Sequence, residues 1–554
     1  MSKFCFMKFN KSSVGSGAFK HALVVLFFFS FLLNAQIDRK VISKGPYLQA
    51  PGTNTMTIMW ESPINKPAVI YYSAGTNLNA GALTVNIRGG RRVDSATGSS
   101  ILRITSRTNF YIYEATITGL RPGTVYSYSV EFGGLKTPPK KFRTFNQDPE
   151  KITFIAYGDT RTNPDIHKRI VSQFKKFNPD FILHTGDLVS RGSRYEVWWR
   201  EFFQPLDNVI DEIPLFPVIG NHEEKSENYY NYFKLPEKEI YYAFEDGPVF
   251  VLALDYHFEK ATDEQYKFSE RVLQATQAPW KIVMVHIPMF NVGGHISGWG
   301  HRYYLPLFHR TKVDMVIAGH SHIYERFKPL MPSNPTNAHP ITHITTGGGG
   351  APLATSMAHP ALASYARTNH FLVFEATRTN IIGRCYNLNG QLIDKFEIVK
   401  VNGKYPKSYL EASYAEEQLR LSLELATNLV ARATNLPTPK KPAMIMFRIV
   451  PSAVSDTPIT LEIQPQPSSA KYYRMEPEKL VVTTPLKGSP EKIVWVKVFP
   501  NVIVKEDRGR QLNPPLVFQA VVKSGEIQAV SYGRPAYISD TAIREAKNAD
   551  IPIP

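Results

Sequence analysis

Residues 152–161 read Ile-Thr-Phe-Ile-Ala-Tyr-Gly-Asp-Thr-Arg, a short apolar run that stops abruptly at Tyr157-Gly158-Asp159. The pattern recurs along the chain. Phe181 to Leu183 leads to His184-Thr185-Gly186-Asp187, and Leu215 to Ile219 leads to Gly220-Asn221-His222-Glu223. Ile282 to Val285 stops at His286, and Val313 to Ala318 leads to Gly319-His320-Ser321-His322. Short apolar runs bounded by glycine and polar residues read as buried strands. Val249 to Leu254 is a further such run, and Ile166, Ile170, Val171, Phe174 and Phe177 have helical spacing. Strands alternating with helical segments predict an α/β domain over residues 148–400. Open α/β folds collect ligands at the carboxyl ends of their strands. Asp159, Asp187, Asn221, His286, His320 and His322 are therefore expected to converge at one edge, with glycines permitting tight turns beside them.

Two carboxylates, an amide oxygen and several imidazoles suit borderline metals such as Zn, Mn or Fe. One carboxylate can bridge two such ions about 3.5–4 Å apart, the separation used in in-line phosphoryl hydrolysis. A single Asp or Asn beside glycine is ordinarily a turn residue. Five such motifs in order, each after a strand, argue for a site.

That ordered set, Gly-Asp, Gly-Asp, Gly-Asn-His-Glu, Val283-x-x-His286 and Gly-His-x-His, resembles the calcineurin-like metallophosphoesterase superfamily. The segment His320-Ser-His-Ile-Tyr-Glu-Arg326 is similar to the purple acid phosphatases and their bacterial relatives, and the resemblance covers about residues 40 to 350. It implies a central sandwich of two mixed sheets flanked by helices. It implies two divalent or trivalent ions (Fe, Zn or Mn), with Asp187 bridging them. Asp159 and His322 would complete one site; Asn221, His286 and His320 would complete the other. His222 would face the substrate, stabilising phosphate charge or protonating the leaving group, and His295, after Gly293-Gly294, matches a further substrate-side histidine. The implied reaction is phosphomonoester hydrolysis by in-line attack of a metal-bound hydroxide, on a phosphorylated small molecule or nucleotide. A phosphodiesterase or nucleotidase of the same superfamily, or a degenerate secreted binding protein, are the alternatives.

The sequence departs from the family twice. Many members have Asp-x-His in the first motif, whereas Asp159 is followed by Thr160-Arg161. Purple acid phosphatases carry a Tyr three residues after the bridging Asp; Ser190 stands there. One metal site thus lacks a customary ligand, and the purple tyrosinate-to-iron colour is not expected. Arg161 either reaches phosphate or is an exposed loop arginine, and nearby Tyr195 has no assigned role. His184 and His343, near strand ends, are expected to be structural or to hydrogen-bond the ligands. Trp299 and Tyr303 would line the pocket or pack, and Gly347 to Gly350 permits close approach without a P-loop pattern.

Outside this region, residues 36–147 read as a β-sandwich. Met56, Ile58 and Trp60 alternate with Thr57 and Met59, and Leu120-Arg-Pro-Gly-Thr-Val-Tyr126 resembles a fibronectin-type-III corner. Similar domains precede the catalytic domain in plant-type purple acid phosphatases. Residues 401–442 are expected to hold a helix, Ser408 to Thr434 with Leu410, Tyr414, Leu421 and Leu425 on one face, and a linker from Leu436 to Pro442. Residues 443–554 read as a mainly β domain, with strands at Met444 to Val450, Ile459 to Ile463, Ile493 to Val498 and Leu516 to Val522.

Residues 1–35 read as a signal peptide, with Lys3, Lys8, Lys11 and Lys20, then the apolar run Ala22 to Leu33 and a small residue, Ala35, for cleavage. The run is short for a membrane span, and the expected location is periplasmic or secreted. Removing those residues takes four lysines and no acid, lowering the formal charge from +16 to +12. A basic chain favours anionic partners, but without a dense Lys/Arg block no specific nucleic-acid binding is expected. Of two cysteines, Cys5 falls in the signal and Cys385 would remain alone, which excludes an intrachain disulfide in the processed chain.

Overall fold

The computed structural model describes residues 37–78, 81–99, 104–295, 297–332, 339–356 and 358–420, residue 423, and, beyond these, 430–433, 443–449, 460–465, 473–484, 492–500, 518–522 and 530–532. The signal peptide, Leu421, Leu425 and the linker 436–442 lie outside the described residues.

The N-terminal domain is a sandwich. One sheet orders Lys44–Gln49, Met56–Ser62, Ile104–Ile117 and Arg91–Ser99; the other is built around Ala68–Ala74 and Val125–Phe132. Between them Trp60 stacks on Tyr113 at 4.8 Å, with Ile58, Ile70 and Phe132 around the pair. Alternation in Met56–Ser62 would leave one face wet, yet every residue of that strand is buried. The second face is covered by the catalytic domain: Tyr47, Met59, Val93 and Phe110 belong to its main core. The junction also holds a buried ion pair. Lys44 Nζ lies 2.5 Å from a Glu61 oxygen, and the hydroxyls of Tyr195 and Tyr232 donate to the same carboxylate at 2.7 and 2.8 Å. The two domains thus share one core.

The central domain consists of two mixed sheets. The six-stranded one orders Leu215–Pro217, Phe181–His184, Ile152–Tyr157, His370–Ala376, Asn380–Asn387 and Leu392–Val399; its first three strands run parallel, and the fourth pairs antiparallel to the third. The seven-stranded one orders Tyr242–Asp246, Val249–Leu254, Trp280–Val285, Met315–Ala318, Thr342–Thr346, Tyr324–Phe327 and Leu362–Ala366. Strands covered on both faces are apolar throughout. In Val249–Leu254, Val249, Val251 and Ala253 enter the core between the sheets. Phe250, Leu252 and Leu254 pack outward with Phe268, Val272 and Leu273 of helix Glu264–Ala275 and Leu305, Leu307 and Phe308 of helix Tyr304–Thr311. The stripe from Ile166 to Phe177 is split into helix Pro164–Val171 and a 3₁₀ turn, Phe174–Phe177.

The expected helix from 408 to 434 does not form as one element. Lys407–Glu411 is a short helix, Tyr414–Ala415 is a strand parallel to Leu330–Met331, residues 416–420 are helical again, and Val430–Ala433 pairs antiparallel with Ala443–Ile449. Leu410 is exposed, whereas Leu419 and Leu423 are buried in the outer core of the seven-stranded sheet, and pairing to sheet edges interrupts the helical preference at Tyr414 and Val430. The β-rich C-terminal region therefore begins before residue 443. Its described strands form two four-stranded sheets. Among the described residues no helix is long and apolar enough to cross a membrane.

Candidate metal centre

The carboxyl ends of strands from both sheets meet, and all six expected ligands lie there. Asp159, Asp187 and His286 offer ligand atoms within 4.8 Å of one another, all three buried. Asn221 Oδ1 lies 3.0 Å from both His286 Nε2 and His320 Nδ1. His286 Nε2 is 3.4 Å from Asp187 Oδ1, and His322 Nε2 is 3.5 Å from Asp159 Oδ1. Asp159, Asp187 and His320 have φ of 56°, 54° and 64°. Non-glycine residues in that left-handed region concentrate at functional sites. Gly186 (φ +94°) lets the second loop pass under His286, and a methyl at Gly220 would stand 2.3 Å from the Asp187 nitrogen.

Imidazole orientation is set from behind. Nδ1 of His286 lies 2.8 Å from Thr185 O, and Nδ1 of His322 lies 2.8 Å from Pro352 O. Each Nδ1 is thereby a donor, leaving the Nε2 lone pair turned to the centre. Burial raises the Asp187 pKa, but His286, His222, the His222 N–H and Arg161 outweigh it and hold the carboxyl below its usual value. Burial and then His286 push His320 down to about 3, favouring the neutral ligand form. Asp159 Oδ1 is buried without a hydrogen-bond partner, a donor atom that suits a cation.

His222 Nδ1 lies 2.9 Å from Ser190 O, and its Nε2 lies 3.9 Å from Asp187 Oδ2. The His295 ring lies 5.0 Å from that of His320 and 6.1 Å from that of His322. Both histidines thus border the centre. Asn221 and His295 are exposed while Asp159, Asp187 and His286 are buried, so the site is a cleft with a carboxylate floor and a histidine rim.

Arg161 is not an exposed loop arginine. It is 15% exposed, with Nε 3.2 Å from Asp187 Oδ2 and Nη2 3.3 Å from His322 Nε2. Ser190 turns away, its Oγ 3.0 Å from Glu201 Oε1. Tyr195 serves the domain junction. His184 sits behind the loops, 3.1 Å from Thr160 Oγ1, and His343 is buried against Phe290. Trp299 packs on Tyr304 and donates to Tyr256 O, while Tyr303 lines a neighbouring cavity with His257, Lys260 and Arg302. The glycines from 347 touch the Asp159 loop: Gly349 N donates to Gly158 O and Ala351 N to Asp159 O.

Three buried carboxylates have structural roles that the sequence did not assign. Glu223 accepts N–H bonds from Asp187, Leu188, Val189 and Gly220. Glu201 accepts from the Ser190 and Thr162 nitrogens. Glu325 accepts from those of Val292 and Gly293, fixing the loop that carries His295. The signal was present for Glu201: an acid within Trp198-Trp199-Arg200-Glu201-Phe202-Phe203 is inside an aromatic, buried segment.

Comparison with known proteins matches residues 152–324 to the calcineurin-like phosphoesterase family and residues 44–144 to the purple acid phosphatase N-terminal domain. Purple acid phosphatase 21 of Arabidopsis thaliana is 29% identical over 277 residues, 44% of this chain and 61% of that protein. Acid phosphatase type 7 of Mus musculus is 26% identical over 348 residues, 55% of this chain and 76% of its own length. The chain thus spans about three fifths of the first of these relatives. The structure of purple acid phosphatase PPD1 from yellow lupin seeds shares the fold with a TM-score of 0.55 at 18% identity, covering 66% of this chain and 78% of that one.

Proposed function

We propose, from the premise that residues 152–324 belong to the calcineurin-like phosphoesterases and residues 44–144 to the purple acid phosphatase N-terminal domains, that the chain hydrolyses phosphate monoesters at a metal centre organised around Asp187. The observation that carries this is the convergence of Asp159, Asp187 and His286 within 4.8 Å, with Asn221 Oδ1 3.0 Å from two imidazole nitrogens. The purple acid phosphatase family uses a dimetal centre, and Asp187 lies between two donor groups that would hold such ions.

The two groups do not fit a metal equally. Asp187, Asn221, His286 and His320 give one half four donors with imidazole lone pairs turned inward, a set that suits Zn, Mn or Fe. The other half has three donors, Asp159, Asp187 and His322, and the Arg161 guanidinium lies against two of them. A bound metal supplies activation of water and neutralises charge on the phosphoryl oxygens.

The chain's own residues bind and orient the ester. With Nδ1 committed to Ser190 O, His222 presents Nε2 to the phosphate; as an imidazolium it donates to a phosphoryl oxygen or to the departing oxygen. His295, with its ring 5.0 Å from that of His320, is a second histidine on the rim. Water forms the new P–O bond, the bond to the alcohol oxygen breaks, and that oxygen leaves with a proton from the histidine rim. Substrates of this class are phosphorylated small molecules or nucleotides. We further propose that the chain is exported after loss of residues 1–35, on the strength of the lysine-flanked apolar run Ala22 to Leu33.

Asp187→Ala removes the carboxylate shared by both halves. Loss of bound metal and of turnover on p-nitrophenyl phosphate is expected; full activity in that variant sinks the reading.

A further inference from the structure

The half-site formed by Asp159, Asp187 and His322 contains a cation of the chain's own. Arg161 Nε is 3.2 Å from Asp187 Oδ2 and its Nη2 is 3.3 Å from His322 Nε2. Because His322 Nδ1 is engaged with Pro352 O, Nε2 carries the lone pair, and the guanidinium N–H points at it. The guanidinium therefore takes the donor atoms a metal would take. It cannot yield them by losing its proton, since arginine stays charged in proteins.

The loop holds it there. Asp187 O accepts the backbone N–H groups of Thr160 and Arg161, and Thr162 N donates to the buried Glu201 carboxylate. The neighbouring side chains that might complete a coordination shell are committed elsewhere: Ser190 Oγ to Glu201, and Thr160 Oγ1 to Leu188 O and His184. Beside Asn221, His286 and His320 no comparable cation intrudes among the described contacts.

We propose that this chain holds a single metal ion, between Asp187, Asn221, His286 and His320, and that the Arg161 guanidinium takes the place of a second ion beside Asp159 and His322. The inference rests on the metal-dependent phosphoesterase reading and narrows it. Asp187 is the counter-charge for this cation, while Asp159 Oδ2 accepts from His320 N at 2.9 Å.

The test is metal stoichiometry on the full chain, stripped with chelator and reloaded with Mn(II). Elemental analysis and electron paramagnetic resonance are read on the wild type, Arg161→Ala and Arg161→His. The wild type is expected to retain one ion per chain with the spectrum of an isolated Mn(II). Arg161→His removes the like charge and adds a ligand; it is expected to bind a second ion and show exchange coupling. Its second-site affinity should rise about 100-fold or more, beyond the roughly 10–100-fold that outer-shell changes produce. Two tightly held, coupled ions in the wild type overturn the proposal and leave the phosphoesterase reading intact. One ion in the wild type with no second ion in either variant overturns the role given to Arg161. No ion in any of the three overturns both. Circular dichroism checks the fold of the variants, and the wild-type spectrum decides the stoichiometry by itself if a variant misfolds.

Discussion

Replacing Glu223 by Gln keeps the shape and removes one acceptor oxygen. Glu223 Oε1 receives the N–H groups of Leu188 and Val189 at 2.8 and 3.3 Å, and Oε2 those of Asp187 and Gly220 at 2.9 and 2.7 Å. The amide NH₂ must face one of these pairs, so two buried donors lose their acceptor whichever way it turns. At about 1–3 kcal/mol for each unsatisfied buried group, the loss is about 2–6 kcal/mol. An opposing effect exists, because burial and then the Asp187 charge push Glu223 up to about 8, and a neutral amide escapes both. The donors decide the sign: both oxygens already accept two N–H groups, and a proton on either would collide with one. Urea unfolding at fixed metal concentration should show a lower midpoint with unchanged slope. Metal affinity should fall about 10–100-fold, since the loop carrying Asp187 loses its support. A Gln variant as stable as the parent, with undiminished metal binding, refutes this account of the cradle.

Three further predictions follow from the same contacts. Glu61→Ala strands Lys44 in the domain junction, where burial already lowers its pKa to about 8 against the pull of Glu61; chemical denaturation should register a loss of about 3–5 kcal/mol, and the double replacement Lys44→Met with Glu61→Leu should recover most of it. His167, His301 and His370 are each held down to about 4, chiefly by burial. Their folded pKa values lie below the unfolded value, so their stabilisation is complete above about pH 6.5 and lost as pH falls toward 4, by up to about 1.4 kcal/mol per pH unit for each group. Melting temperature should decline through that window, and a flat profile there counts against the buried neutral histidines. His222→Ala should lower turnover about 10²–10⁴-fold with bound metal unchanged by elemental analysis; a large loss of metal instead would make His222 a structural residue.

That these six residues meet at one site was readable because each lies at or shortly after the end of a strand. A buried strand of an α/β sheet is a run of apolar residues, and the first polar residue after it, next to a glycine, is placed by the strand itself. Asp159, Asn221 and His320 obey this; Asp187 comes after Gly186 but behind the polar His184 and Thr185, His286 ends its strand without a glycine, and His322 lies two residues beyond His320. What failed to show was long-range. Glu223 was visible within its motif, but its four donors come from two separate loops. The second buried face of Met56–Ser62 depends on a neighbouring domain, which no alternation within the strand reports. The segment after Lys407 has helical spacing and is helical at 407–411 and 416–420, yet Tyr414 N donates to Pro329 O and two stretches of it join two different sheets. Arg161 was undecided between phosphate and solvent; its actual contacts are two ligand residues that lie 26 and 161 positions further along the chain.

The most direct test of the central claim is hydrolysis by one purified preparation, stripped of metal and then reloaded, on p-nitrophenyl phosphate and bis-p-nitrophenyl phosphate in parallel. The account predicts no turnover after chelation, recovery on reloading, and a higher kcat/KM for the monoester. Preference for the diester would preserve the centre and contradict the substrate class. Absence of turnover on both esters after reloading would contradict the claim that this site is an enzyme.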